Sequence, residues 1–176
     1  MKRLKIIFWI IFAITMGIYA TMLFWSLPII TNYSSGLLPF DLRPNGYDFN
    51  EAKALLLALS NEGIDFYQNI QLKLDTIYPA LMAISLILAY RLLAPAKLGR
   101  WRALLYPFAI FAAIFDYFEN YSINKMLTLG SDKITPELVL SANGFSTTKA
   151  LFVTISLSIL FVLIVLWVLR KFTNNR

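Results

Sequence analysis

The sequence predicts an all-α integral-membrane bundle of four transmembrane helices, with a short amphipathic helix and structured loops on the outer face. Three observations predict it. The chain is 59% hydrophobic and its mean hydropathy is +0.65, too apolar for an ordinary soluble domain. Four long apolar runs recur, at 6–30, 77–93, 103–115 and 150–169. Spanning takes roughly 20 residues, about 17–25 in most cases, and the third run reaches that length only through its polar tail. Basic and acidic residues also segregate between alternate loops, as membrane topology requires.

The first helix is expected over about 5–30. Lys2, Arg3 and Lys5 precede about 25 apolar residues, longer than the 7–15 of a cleaved signal core, so the segment reads as a signal-anchor helix. The second helix, about 66–94, contains Pro79, which predicts a kink and open space in the outer half of the bundle. The third is expected over about 101–128 and the fourth over about 147–171, so that residues 1–176 form a single membrane domain.

Charge fixes the orientation. Lys2, Arg3 and Lys5, then Arg91, Lys97, Arg100 and Arg102, then Arg170, Lys171 and Arg176 supply ten of the 16 basic residues in three segments free of acids. The positive-inside rule puts these segments and both termini in the cytoplasm. All ten acids then fall on the other side or in its half of the membrane, against six bases. The basic balance therefore reports membrane orientation, not a nucleic-acid surface. With no cysteine and no histidine, thiolate chemistry, disulfides and the usual metal ligands are excluded.

Between the first two helices, 39–47 carries Pro and Asn-Gly turn signals. Asp48 stands three before Glu51, a capping box. It opens an amphipathic helix over about 49–60 that buries Ala52, Leu55, Leu56 and Leu59, capping the bundle or lying on the leaflet. Gly63 reads as a C-cap, and Asp65 with Gln68 as a second capping box opening the next helix. Between the last two helices, Pro136 starts a short helix over about 136–142, and 141–144 reads as its stop.

The candidate site lies in the third helix. Asp116, Glu119 and Asn120 interrupt an apolar run and share one face at i, i+3 and i+4. Each charge inside a bilayer costs about 2.5–3.5 kcal/mol, so these residues must be paired or used. At 1.5 Å per residue Asp116 lies roughly 20 Å from the cytoplasmic end, in the outer half. Asp75 and Lys149 belong at a similar level, as does Tyr19 in a sparse polar stripe with Thr15 and Ser26. These residues predict an outward-open polar chamber, with Lys149 and Arg43 as counter-ions to Asp75, Asp116 and Glu119. Two close carboxylates could share a proton, an acid/base device without histidine. The plainer reading is a buried ion-pair network that sets helix register. Oxygen ligands could suit Ca²⁺ or Mg²⁺, but the spacing fits no metal motif, so no metal or other cofactor is assigned.

Residues 41–47 (Asp-x-Arg-Pro-x-Gly-Tyr), Ala52-x-x-Leu55-Leu56-x-x-Leu59, Gly63, Tyr67, Leu74-Asp75, Pro79 and Asp116-x-x-Glu119-Asn120 resemble uncharacterised bacterial four-helix inner-membrane proteins. That resemblance implies a location but no activity. By helix count and size alone the chain is similar to the EXPERA proteins, which bind sterol-like ligands in an acid-containing pocket. Three readings follow: a binding protein for a lipid or a small amphipathic or cationic ligand; an accessory subunit partnered by another membrane protein or by its own copies; and a membrane enzyme or proton-coupled carrier using Asp116 and Glu119.

Overall fold

The computed structural model describes residues 2–173, and Arg176 of the last basic segment lies outside them. The chain is all-helical, with no strand among the described residues. Four helices are long and apolar enough to cross a membrane: α1 (Lys2–Tyr33), α3 (Asn61–Leu93), α4 (Tyr106–Leu129) and α5 (Pro136–Thr173). The amphipathic α2 (Phe49–Ala58) lies between the first two. A tight 3₁₀ segment, Ala96–Leu105, leads into α4, and Gly99 turns the chain there at φ 46°. Regular helix thus starts at Tyr106, later than the charge pattern suggests, with Pro107 in its first turn, where no N–H is needed.

The centre of the bundle is α3. Of its most apolar stretch 39% is buried, against 11% for α1 and for α5. Ala109, Ala112 and Ala113 are all buried on α4, and such small residues let neighbouring backbones approach closely. One apolar cluster joins Leu86 and Tyr90 of α3 to Ala109 and Leu163. Thr15 and Ser85 share a hydrogen bond of 3.1 Å between α1 and α3. At the basic end, Arg170 Nη2 donates to the carbonyl of Leu93, satisfying an end-of-helix carbonyl where a cation also suits the helix dipole.

Two π-turns mark the opposite end of the bundle, Met22–Ser26 in α1 and Tyr67–Gln71 in α3. In the first, Leu27 N–H reaches back to Met22 O, one residue beyond the α-helical partner. Pro28 follows at once, and the wider turn absorbs the N–H it lacks and the room its ring needs. The two π-turns touch, and Ser26 of one donates to Gln71 Oε1 of the other.

The segment between α1 and α3 caps this end. Asp48 and Glu51 form the full capping box of α2. Ala52, Leu55, Leu56 and Leu59 are buried among Phe40, Tyr47, Tyr67, Val139 and Ala142, so α2 closes the bundle.

Two readings of the loops are corrected. Gly63 does not end α2: that helix stops at Ala58, and Ser60 caps α3, accepting from Gly63 N–H at 3.1 Å. Asp65 therefore sits inside a helix already begun, where its carboxylate accepts from Asn69 Nδ2. Gly63 is there for space, since a Cβ would lie 2.6 Å from Cβ of Tyr33. Gly63→Ala is expected to cost about 1–3 kcal/mol through overpacking, read as a lower melting temperature in detergent. The second correction concerns 136–142 and 147–171, which are one helix, α5, unbroken through 141–144. Ser141, Ser146, Thr147 and Thr148 bond carbonyls one turn back along it, and Asn143 bonds Tyr47 N–H instead of capping.

Candidate functional site

The polar centre forms where α3, α4 and α5 meet beneath the cap. Helical spacing turns Asp116, Glu119 and Asn120 of α4 inward, and they are 3%, 2% and 8% exposed. From α5, Lys149 Nζ lies 3.2 Å from Asp116 Oδ1 and bridges to Glu119 Oε2. Ser146, one turn earlier on the same face, donates to Glu119 Oε1 at 2.5 Å. The lysine side chain keeps 19% of its surface exposed and so closes the centre at its rim.

Asp75 completes the set from α3. It is buried, at 5% exposure, yet no cation stands within 4.0 Å of its carboxylate among the described residues, where both salt bridges belong to Lys149. Pro79 lies four residues further on and has no N–H for the Asp75 carbonyl. Asn120 Nδ2 takes its place, donating to Asp75 O at 2.9 Å. Tyr117 donates in the same way to the carbonyl of Thr76 at 3.0 Å. The space expected near Pro79 thus receives side chains of α4. Asn120 Oδ1 remains buried without a partner among the described residues.

The cap sits directly above. Tyr67 donates to Asp41 Oδ2 and accepts from Phe40 N–H at 3.1 Å. Gln71 is 1% exposed and approaches Asp41 Oδ1 at 3.5 Å while accepting from Ser26. Tyr47 packs against Phe40 with ring centroids 4.8 Å apart. Its hydroxyl is buried near Glu119, Ser146 and Asp41, and burial, with the Glu119 charge, raises its pKa above the ordinary tyrosine range.

Of the residues singled out from sequence, Asp75, Asp116, Glu119, Asn120 and Lys149 come together. Arg43 and Tyr19 do not join them. The Arg43 guanidinium donates to Leu38 O at 3.0 and 2.8 Å, stapling its own turn. Tyr19 is 43% exposed and stacks on Tyr78 at 5.7 Å. Asp116 and Glu119, expected to line an open chamber, are buried and bridged by Lys149. Two clefts open near this end, of about 510 Å³ beside Tyr33 and Phe66 and about 300 Å³ between α3 and α4. Neither is lined by Asp75, Asp116 or Glu119, although Asn120 borders the second.

Sequence reasoning missed Asp41, Tyr67, Gln71, Ser146 and Tyr47 as members of the network. A signal existed for three of them. Tyr67, Gln71 and Asp75 repeat every four residues on one face of α3. Ser146 and Lys149 are likewise i, i+3 on α5.

Chemically, the centre sets three carboxylates against one ammonium. The excess negative charge can be balanced by bound protons or by a cation from outside. No protein-family model, curated protein or solved structure matches the chain.

Proposed function

We propose that this chain is a multi-pass protein of the bacterial inner membrane, with both termini cytoplasmic, whose polar centre binds a lipid or a small amphipathic cationic ligand from the outer side. The observation that carries this reading is Asp75, a buried side chain whose carboxylate has no salt bridge or hydrogen-bond donor among the described residues, in a cluster whose lysine already serves Asp116 and Glu119. An uncompensated buried charge is costly, and a ligand ammonium would relieve it while the apolar flanks held a hydrocarbon tail.

A second reading has its own support. Lys149 spans both acids and Ser146 fills a remaining acceptor site, which suits a network that fixes helix register in a non-catalytic accessory subunit.

One experiment separates the two. Dodecylammonium is titrated into the detergent-solubilised protein and the complex is counted by native mass spectrometry. One bound amphipath is expected. Asp116→Asn and Glu119→Gln each leave Lys149 one carboxylate, so they should melt within a few degrees of the parent yet bind at least tenfold more weakly. Absent or unchanged binding overturns the reading, and collapse of either variant establishes the accessory one.

A further inference from the structure

The cleft between α3 and α4 joins a polar head to an apolar stripe. Its upper part is lined by Gln68, Lys73, Thr76, Asn120, Tyr121 and Asn124. Gln68 Nε2 donates to Asn124 Oδ1 and to Thr128 Oγ1, both at 2.9 Å, which fixes the amides on either wall. Lys73 is exposed, and no carboxylate of the described residues stands within 4.0 Å of it. Away from the cap, Ile77 on α3 and Ile114, Tyr117 and Phe118 on α4 are exposed. Residues 73, 76, 77 and 80 share one face of α3, and 114, 117 and 121 one face of α4, while Phe118 turns toward Phe145 of α5. Both stripes run from polar to apolar in the same direction, since α3 and α4 are antiparallel neighbours. A phospholipid has that order: a charged head, then hydrocarbon.

Asn120 selects the head. Its amide nitrogen is held by the Asp75 carbonyl, which leaves Oδ1 as an acceptor, buried and without a donor, at the border of the cleft. A headgroup that satisfies it must bring an N–H or O–H. Choline has none, whereas a primary ammonium has three, and a charged donor bonds an amide oxygen more strongly than a neutral hydroxyl does. Lys73 is placed for the phosphate of the same headgroup, since an ammonium and a phosphate pair as point charges.

We propose that this cleft is a site for one phosphatidylethanolamine molecule of the adjoining leaflet, its ammonium donating to Asn120 Oδ1, its phosphate paired with Lys73 and its chains lying on the stripe from Ile77 to Ile114. This deepens the reading of the polar centre as a ligand site and rests on it.

The test changes the lipid first and the protein second. The protein is placed in nanodiscs holding equal parts of phosphatidylethanolamine, phosphatidylcholine and phosphatidylglycerol, and the lipid retained on release is counted by native mass spectrometry. Phosphatidylethanolamine is expected to be retained about tenfold over phosphatidylcholine. Its N-methyl and N,N-dimethyl forms still carry an N–H and should be kept, with the loss at the third methyl. Lys73→Gln, at an exposed position, should lower retention about tenfold with the melting temperature unchanged. Equal retention of phosphatidylcholine, a preference for phosphatidylglycerol, or indifference to Lys73→Gln overturns the assignment. If these occur while dodecylammonium still binds, only the lipid assignment falls; if neither amphipath binds, the reading of the centre falls with it.

Discussion

Replacing Lys149 by methionine should destabilise the fold by about 3–5 kcal/mol, the range for removing one partner of a buried ion pair. The methylene stem is preserved in length, so the loss is that of the ammonium. Two carboxylates at 3% and 2% exposure are then left facing each other, with Asp75 as a third acid nearby. None has another cation within 4.0 Å among the described residues. Chemical or thermal unfolding in mild detergent measures the loss directly. The triple variant Lys149→Met, Asp116→Asn, Glu119→Gln removes the charges together and should recover most of the stability, because the desolvation penalty of the acids disappears with the lysine. A triple variant as unstable as the single one would mean that the hydrogen bonds of the ammonium, which Met does not replace, matter more than the charge balance of the centre.

The helices and the acid–lysine centre were legible in the sequence for different reasons. Long apolar runs set helix length directly, so the four long helices follow from composition. Asp116 and Glu119 stand out because an acid in an apolar run is expensive, and helical spacing then gives their common face. Lys149 follows because all three charges belong at one depth. Arg43 failed because depth alone does not give direction: its guanidinium finds a carbonyl five residues earlier on its own turn. The join of residues 136–142 to the last helix failed because Ser, Asn and Gly favour helix ends in water. Under tertiary contact, Ser146 and Asn143 serve Glu119 and Tyr47 from within an unbroken helix. The pairing of the π-turns was illegible: Pro28 signals an irregular turn in α1, but nothing local signals which turn of α3 it meets. Their partner residues, Ser26 and Gln71, are 45 positions apart.

The second large effect is expected at Gly46. Its φ of +90° lies in the region that L side chains rarely adopt, and an added Cβ would lie 2.1 Å from Asn143 Oδ1. That oxygen cannot withdraw freely, because it accepts the Tyr47 N–H at 3.0 Å. Gly46→Ala therefore combines backbone strain of about 1–3 kcal/mol with loss of a partly buried hydrogen bond at about 1–3 kcal/mol. The sum should appear as a fall of roughly 2–6 kcal/mol in unfolding free energy. Because Tyr47 stands over Glu119 and Ser146, the change also loosens the cap above the polar centre. The two contributions separate in a cycle with Asn143→Ala. In that background the hydrogen bond and the clash are both gone, so Gly46→Ala should cost only its strain. An equal cost in both backgrounds would show that backbone conformation alone requires glycine here, with no coupling to Asn143.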